Sequence, residues 1–185
     1  LRHVADSLLL LTTGILEDLE VRYAIDIGSG AGFPGLPLAI ARPDITWTLV
    51  ESTGKKARFL EEVIRSLGIY NVAVSMTRAE ALAHNAVKRE SYGLAVVRAV
   101  SQCATICELG LPFLQRGGRL IAFKGPNVDE EAAQSARAAQ LCGGAHRGNV
   151  PAQLPLIHHA RTFVVWEKLA DTPADYPRRE GIPHQ

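Results

Sequence analysis

Cysteine, methionine and aromatic residues are scarce in this sequence of 185 residues, which has three cysteines, one methionine and 6% aromatic residues. Cys103, Cys107 and Cys142 are odd in number and lack the paired spacing of a zinc site or a disulfide framework. We therefore predict small core thiols in a reducing compartment and no bound metal.

Long apolar runs and a large net charge are also missing. No stretch is long enough to cross a bilayer, and no secretory signal is visible. The formal net charge is only +1, so any contact with nucleic acid must come from a local basic patch or from base stacking. We therefore predict a cytoplasmic protein with no membrane partner, and we take a monomer as the default oligomeric state.

Glycine, in contrast, is concentrated in the stretch YAIDIGSGAGFPGLP at residues 23–37. Residues 24–27 are apolar enough for a central parallel strand, with Asp26 near the end of that strand. Four glycines follow, at positions 28, 30, 32 and 35. They let the backbone turn tightly and approach a ligand without Cβ atoms in the way. A helix that begins behind such a turn exposes N–H groups, so the stretch predicts a site for an electron-rich ligand group.

Two kinds of nucleotide site match this stretch. Residues 30–35 satisfy the dinucleotide pattern G-x-G-x-x-G, a weak signal that keeps a nicotinamide-dependent oxidoreductase open. The string D-I-G-S-G-A-G at 26–32 resembles the first motif of S-adenosylmethionine-dependent methyltransferases. With its continuation F-P-G-L-P-L-A-I, it closely resembles the RsmG/GidB family, which methylates N7 of a guanosine in 16S ribosomal RNA. R-H-x-x-D-S-L at 2–8 and Y-P-R-R-x-G-x-P at 176–183 extend the resemblance to nearly the whole chain.

The predicted elements are an opening helix, alternating strands and helices, and a final pair of strands. This order predicts an α/β fold, a three-layer α/β/α sandwich with a mostly parallel sheet and a ligand at the carboxyl ends of the strands. The resemblance implies the Rossmann-like class I methyltransferase fold, with seven strands and a terminal antiparallel hairpin. We expect an N-terminal helical segment at 1–22, truncated relative to the family, a methyltransferase domain at 23–170, and a C-terminal tail at 171–185 packed on or near it. Within the domain we predict a turn at 115–118 and one continuous helix at 129–141.

Glu51 follows the second predicted strand, at 46–50, roughly twenty positions beyond the glycine loop. An acidic residue at this place is the expected partner of ribose hydroxyls in nucleotide-binding α/β folds. Its two carboxylate oxygens can accept from both hydroxyls at once. We therefore predict that Glu51 binds a ribose.

The resemblance implies S-adenosyl-L-methionine as the cofactor. The residues expected to hold it are Asp26, Gly28, Gly30, Phe33, Glu51, Ser52, Thr53, Ala79, Glu80 and Arg98. The glycines would let the methionyl part approach the backbone, and Asp26 would orient the loop or the cofactor's amino group. Phe33 would pack beside the ligand, while Ala79 and Glu80 would flank adenine through backbone groups.

Arg98 ends the fourth predicted strand and Lys124 the fifth, so both are expected at the ligand edge of the sheet. The planar guanidinium of Arg98 suits the methionyl carboxylate or a phosphate, and a structural salt bridge is the competing interpretation. For Lys124 the alternative is a solvated lysine beside a turn. Both are candidate substrate-side residues, and no residue is assigned a catalytic proton or covalent step.

Two basic groups are candidates for contact with RNA. Lys55, Lys56 and Arg58 crowd the first turn of a predicted helix, where they oppose its dipole. Phosphate contacts would explain them, and a solvated helix face is the alternative; the resemblance favours RNA. In the tail, Arg178 and Arg179 either bind RNA phosphate or pin the tail to the domain.

The chemistry agrees with the resemblance. Guanine N7 has a lone pair and no proton, so its methylation requires positioning rather than a general base. A cytosine C5 enzyme needs a nucleophilic thiol, and an adenine N6 enzyme usually has (N/D)-P-P-(Y/F/W) where this sequence has RAVS at 98–101. The resemblance thus implies an S-adenosylmethionine-dependent methyltransferase acting on N7 of a guanosine in 16S ribosomal RNA of the small subunit, and this is our prediction. An NAD(P)-dependent oxidoreductase and a non-catalytic nucleotide- or RNA-binding module are the alternatives.

Overall fold

A computed structural model describes residues 2–154 and 159–183, and seven strands form a mixed sheet within them. The strands are β1 Tyr23–Ile27, β2 Thr46–Val50, β3 Val72–Ser75, β4 Tyr92–Arg98, β5 Leu114–Lys124, β6 Gly144–Leu154 and β7 His159–Lys168. Their order is β3-β2-β1-β4-β5-β7-β6, with β7 antiparallel to β5 and β6 and the other pairs parallel. The predicted seven-stranded, mostly parallel sheet with a terminal antiparallel hairpin is confirmed.

Helices cover both faces of the sheet. They are α1 Arg2–Leu8, α2 Gly35–Ala41, α3 Gly54–Ser66, α4 Ala79–Leu82, α5 Cys103–Gly110, α6 Asp129–Gln134 and α7 Ala136–Leu141. Short 3₁₀ turns at Leu9–Thr12 and Leu111–Phe113 directly follow α1 and α5. The segment from α1 to α3 packs on one face, around Trp47 and Leu49, and α4 to α7 pack on the other, around Trp166. The predicted three-layer sandwich is therefore confirmed.

The central strands show why the sheet forms as it does. All residues of β4 from 92 to 97 are buried, as expected for a parallel strand covered on both faces. Along β1, Ala24 packs on the side of α1 to α3 and Ile25 on the opposite side, which is the alternation of a strand. The carboxyl ends of β1, β2 and β4 meet at one edge, where the predicted site residues lie.

The N-terminal segment is less helical than its apolar periodicity suggests. Between residues 2 and 22, the α-helix covers 2–8 and a 3₁₀ turn covers 9–12, after which Gly14 has φ +72°. Glycine adopts this left-handed conformation at no steric cost. Leu9, Leu10 and Ile15 are nevertheless buried in the same core as Trp47, so the segment forms part of the packed layer.

The helix predicted at 129–141 is wrong in one respect, because it is divided into α6 and α7, which meet at Ser135. The hydroxyl of Ser135 donates to the carbonyl of Ala132 (2.6 Å) and accepts from Nε1 of Trp166 (3.2 Å). A serine hydroxyl bonded back to a helix carbonyl competes with the backbone hydrogen bonds. The sequence pattern cannot reveal the break, because Trp166 lies 31 residues further along the chain.

The turn predicted at 115–118 is also wrong, because β5 begins at Leu114 and runs through this stretch. The register with β4 shifts between Tyr92 and Leu94, and Gly117 has φ +82°. A Cβ on Gly118 would lie only 2.9 Å from the carbonyl oxygen of Gln115. The two glycines therefore mark an irregularity within a strand rather than a separate turn.

β6 is an edge strand, as predicted for the weakly patterned stretch at 145–157. Residues 155–158, and with them the predicted loop or strand-start position of His158, lie outside the described residues. The same applies to Leu1 and to residues 184–185 of the tail. The described part of the tail, 171–183, contains no helix, as its prolines predict.

Candidate functional site

The glycine loop turns at the carboxyl end of β1. Its φ angles are +73° at Gly28, +58° at Gly30 and +95° at Gly32. A Cβ on Gly28 would lie 2.7 Å from Cγ2 of Val100, and the N–H of Gly28 donates to the carbonyl of Val50 (3.0 Å). The left-handed backbone and the close approach both require glycine at position 28, and they place the loop against the end of β2 and the segment after β4.

Asp26 is fully buried where β1 meets this loop. Its Oδ2 accepts from the N–H of Gly35, the first residue of α2 (3.0 Å), while Oδ1 has no hydrogen-bond partner among the described residues. Burial raises the pKa of Asp26 to about 7, against smaller lowering effects of the nearby Ser29 hydroxyl and of the hydrogen bond from Gly35. The carboxyl group thus ties β1 to α2 across the loop, and the role of Asp26 toward a cofactor remains a prediction.

Glu51 lies directly after β2 and is almost fully buried. Its Oε2 accepts from the N–H of Gly30 (3.0 Å) and its Oε1 from the N–H of Thr53 (2.7 Å). Each carboxylate oxygen keeps a further lone pair that can accept another hydrogen bond. Glu51 therefore fixes the glycine loop to the end of β2 and still has acceptor capacity for a ligand hydroxyl.

A cavity of about 210 Å³ lies at this edge of the sheet. It brings together five of the predicted cofactor residues, namely Gly28, Glu51, Ser52, Ala79 and Glu80. Apolar side chains of Val50, Val100 and Leu109 complete much of its wall. Asp26, Gly30 and Thr53 do not line it. Gly30 and Thr53 donate to Glu51 on its wall, and Asp26 accepts from Gly35 behind the glycine loop. Phe33 lines a different, apolar cavity of about 420 Å³ between α1, α2 and α3.

Arg98, at the end of β4, is held by the N-terminal helix. Its Nη1 lies 3.2 Å from Oδ2 of Asp6, and its Nη2 donates to Nδ1 of His3 (2.6 Å). The guanidinium carbon is 5.9 Å from the centre of the Phe33 ring, within the range of a cation–π contact. Burial lowers the pKa of Arg98, partly against the attraction of Asp6. The structural salt bridge that was the alternative role for Arg98 is thus present, with Asp6 as its partner. A contact between Arg98 and a ligand remains a prediction.

His3, Asp6 and Arg161 are residues of this region that the sequence reasoning did not assign. Asp6 is 1% exposed and accepts from Nε of Arg161 at 2.5 Å as well as pairing with Arg98. The ring of His3 is 5.5 Å from that of Phe33. The available sequence signal was R-H-x-x-D-S-L, whose His and Asp are three positions apart and so share one face of a helix.

Lys124, at the end of β5, has hydrogen-bond partners within the protein rather than a fully solvated ammonium group. Its Nζ donates to the carbonyl of Ser101 (2.6 Å) and to Oε1 of Glu131 (2.7 Å). The same carboxylate oxygen accepts from the N–H of Cys103 (2.7 Å). Lys124 thus connects β5 with the starts of α5 and α6, and its role toward a substrate remains a prediction.

The basic candidates divide into exposed and paired groups. Lys55, Lys56 and Arg58 are exposed on the first turn of α3, directly after the segment that contains Thr53. In the tail, Arg178 forms a bidentate ion pair with Glu108 and so pins the tail to α5. Arg179 is exposed. RNA contact remains a prediction for all of them.

The three cysteines are free thiols and are buried. Burial raises the pKa of Cys103 and Cys142 to about 12 and that of Cys107 well above its ordinary value. Among residues 2–154 and 159–183, no group of three or more His, Cys, Asp or Glu side chains is arranged to hold a metal ion. No helix in this part of the chain is long and apolar enough to span a bilayer.

The sequence of this chain matches a family model and its curated members. The model of the GidB family, described as rRNA small subunit methyltransferase G, matches residues 1–155. A relative of that name from Dehalococcoides mccartyi is 44% identical over 183 residues, which are 99% of this chain and 77% of the relative. The relative from Deinococcus deserti is 45% identical over 185 residues, with 100% and 75% covered, and that from Roseiflexus castenholzii is 46% identical over 183 residues, with 98% and 76% covered.

Solved structures agree on the fold. M. jannaschii TYW2 in complex with AdoMet matches with a TM-score of 0.64 at 14% identity, covering 82% of this chain and 71% of that one. A putative sarcosine dimethylglycine methyltransferase from Galdieria sulphuraria matches at 0.63 and 12% identity, with 89% and 84% covered. Family and fold together confirm the predicted class I, S-adenosylmethionine-dependent methyltransferase and give no support to the oxidoreductase or the non-catalytic alternative. This chain belongs to the rRNA small subunit methyltransferase G family, GidB.

Proposed function

We propose that this chain transfers a methyl group from S-adenosylmethionine to N7 of a guanosine in 16S ribosomal RNA. The observation that carries the proposal is the cavity at the carboxyl edge of the sheet, where the glycine loop, Glu51 and the Ala79–Glu80 pair meet. The family description supplies the class of substrate, the RNA of the small ribosomal subunit.

The residues around the cavity fit an adenosyl group. Val50 and Leu109 offer apolar walls for the base, and Glu51 has the acceptor capacity that ribose hydroxyls require. Gly28 leaves the backbone open toward the methionyl part, where a Cβ would meet a neighbouring side chain. When bound, S-adenosylmethionine supplies a methyl group on a sulfonium that is already activated for transfer.

Three further predicted cofactor residues would act indirectly. Asp26 holds the glycine loop against α2, while the N–H groups of Gly30 and Thr53 hold the two oxygens of Glu51. These bonds fix the carboxylate before a ligand arrives. Preorganised acceptors of this kind reduce the ordering cost of binding.

The proposed target atom requires no proton acceptor. Guanine N7 has a lone pair and no proton, so the residues need only place the base and exclude water. A thiolate nucleophile is disfavoured, because burial raises the pKa of every cysteine. We propose that Arg98 and Phe33 border the base, with Lys124 on the same rim of the sheet.

The exposed cations near the cavity are the proposed contacts for RNA phosphates. Lys55, Lys56 and Arg58 lie at the start of α3, and Arg179 lies in the tail. Arg178 is a weaker candidate, because its guanidinium is already paired, although 47% of its side chain is exposed. With a net charge of only +1, attraction to RNA depends on this local patch and should weaken as salt rises.

We further propose that the substrate is the RNA within the small subunit and that the chain acts in the cytoplasm as a monomer. Residues 23–170 would form the methyltransferase domain, with 1–22 and 171–185 packed against it. The ion pair of Asp6 with Arg161 and that of Arg178 with Glu108 support this division, because each ties a flanking segment to the central sheet or its helices.

Binding and transfer assays test the proposal. Calorimetric titration with S-adenosylhomocysteine should show saturable binding, and NADH should show none. The chain should then transfer labelled methyl groups to small subunits that lack the modification, with the label mapped to N7 of one guanosine. No binding of S-adenosylhomocysteine, or label on another atom, would contradict the proposal. Naked 16S ribosomal RNA, assayed in parallel, decides the form of the substrate.

A further inference from the structure

The tail at 171–183 forms no helix or strand, yet side chains from elsewhere hold it along a defined path. The guanidinium of Arg89 donates to the carbonyls of Thr172, Pro173 and Tyr176 at 2.8–3.0 Å. The hydroxyl of Thr105 donates to the carbonyl of a further tail residue, Pro183 (2.7 Å). Tail carbonyls that lack strand partners are thus satisfied by fixed donors of the domain.

Arg178 makes the most extensive of these attachments. Its guanidinium donates to both carboxylate oxygens of Glu108 at 2.7–3.1 Å, and its backbone N–H donates to Oε1 at 2.7 Å. The Glu108 side chain is only 6% exposed. Bidentate pairs between arginine and a carboxylate are among the strongest hydrogen bonds in proteins, and truncation of Arg178 would leave this buried carboxylate without its cation.

Of two attachment points of the tail, one lies on the wall of the cofactor cavity and the other directly precedes a wall residue. Glu108 immediately precedes Leu109, which lines the cavity. Three residues after Arg178, the N–H of Gly181 donates to Oε1 of Glu80 (3.1 Å), and Glu80 also lines the cavity. The tail therefore joins α5 to α4, the two helices that supply this part of the wall.

We propose that the tail is a brace for the cofactor cavity and that Arg178 is the positioning residue through which it acts. The inference rests on the proposed function, because it takes this cavity as the site of S-adenosylmethionine. Arg178 then sets the positions of α4 and α5, while the exposed Arg179 is the tail arginine available to phosphate. Within the motif Y-P-R-R-x-G-x-P, Arg178 and Gly181 therefore attach the tail to the domain, whereas Arg179 is exposed to solvent.

The test compares three variants of the full chain: Arg178→Ala, Arg178→Lys and Arg116→Ala. Arg116 is the matched control, because it forms a similar two-point ion pair with Asp171, at 2.8 and 2.9 Å, at the other end of the tail. Both partners of that pair are exposed, and neither lines the cavity. Calorimetric titration with S-adenosylhomocysteine gives the Kd, and hydrogen exchange of the ligand-free protein reports on the backbone of residues 77–83.

Arg178→Ala should weaken binding of S-adenosylhomocysteine about tenfold, as expected for loss of a charged hydrogen-bonded pair, and should accelerate exchange at 77–83. Arg116→Ala should leave both unchanged. Arg178→Lys should recover part of the affinity, because an ammonium can pair with Glu108 as a point charge but not as a fork. In the transfer assay, the alanine variant should raise KM for S-adenosylmethionine and leave kcat and KM for small subunits near wild type.

An unchanged Kd in folded Arg178→Ala would overturn the inference, and so would an equal loss in Arg116→Ala. A raised KM for small subunits with an unchanged Kd for S-adenosylhomocysteine would assign Arg178 to RNA and also overturn it. If the alanine variant does not fold, the lysine variant carries the same comparison. Failure of the wild type to bind S-adenosylhomocysteine would instead refute the proposed function, and that titration precedes the variants.

Discussion

The buried carboxyl group of Asp26 should make the stability of the folded protein depend on pH. The carboxyl group is fully buried with Oδ1 unpartnered among the described residues, and burial raises its pKa from 3.8 to about 7. In the unfolded chain the pKa returns to its ordinary value, so between these values the folded state binds a proton that the unfolded state does not. The free energy of unfolding should therefore decrease as pH rises from about 4 to about 7.

The size of this effect follows from the pKa difference. Within the window each pH unit lowers the free energy of unfolding by about 1.4 kcal/mol. Over the roughly three units between the two pKa values, the total is about 4 kcal/mol, which is large beside the ~5–15 kcal/mol stability of a typical protein. The stabilisation is complete below the unfolded pKa and is lost as pH rises through the folded pKa.

Asp26→Asn removes the titration and keeps the shape of the group. Its amide oxygen can still accept from the N–H of Gly35, as Oδ2 of Asp26 does. Urea unfolding of both proteins between about pH 5 and about pH 8 measures the difference in stability. From about pH 5 to about pH 7, the wild type should lose about 2 kcal/mol relative to the variant, because the slope flattens as pH approaches the folded pKa.

Asp44→Asn is the control for this experiment. Asp44 is exposed, and its hydrogen bonds from Arg42 lower its pKa below the ordinary value. Its stabilisation is present above the unfolded pKa and lost only in more acidic solution, so its effect should be constant over the measured range. Parallel curves for the wild type and Asp26→Asn would refute the reasoning, because they would mean that Asp26 is already ionised at the acidic end despite its burial.

Three further predictions concern the site. Glu51→Ala should weaken S-adenosylhomocysteine binding by about 1–3 kcal/mol, the range for a charged hydrogen-bond partner, and an unchanged calorimetric affinity would remove Glu51 from the site. Gly28→Ala should abolish that binding, because φ is +73° and a neighbouring side chain would lie 2.7 Å from the new Cβ. The control Gly117→Ala has φ +82° but open space around the new Cβ, so it should bind normally. Equal binding by both variants would contradict this geometric argument. Lys56→Glu should weaken binding to small-subunit RNA and reduce its salt dependence without changing S-adenosylhomocysteine affinity, and unchanged filter-binding curves would exclude it from the RNA surface.

The ligand edge of β1 and β2 could be predicted because its signals are local. The apolar strand, the glycines and the acidic residue at position 51 follow one another within about thirty positions, and their spacing alone indicates a nucleotide site. The break in the helix predicted at 129–141 was missed because it has no local signal. A serine in an alanine-rich helix is ordinary, and the hydroxyl of Ser135 accepts a hydrogen bond from Trp166, which lies far along the chain on β7.

The partners of the charged residues could not be predicted for a related reason. The sequence left open whether Arg178 pins the tail, and its partner Glu108 lies 70 residues away. No local pattern distinguishes Arg89, which binds the tail carbonyls, from a solvated arginine. Likewise, Arg98 is paired with Asp6 of the N-terminal helix, 92 residues earlier in the chain. Such pairs depend on the three-dimensional arrangement, because neither partner changes the periodicity of its own element.

The position of β7 has a consequence for how the protein is made. β7 is the last described strand in the chain, yet it lies between β5 and β6 in the sheet. Until residues 159–168 leave the ribosome, β5 has an unpaired edge, and the core around Phe163 and Trp166 stays open to water. A nascent chain at this stage exposes surface that promotes aggregation. Demand for chaperones during synthesis should therefore fall only when β7 emerges.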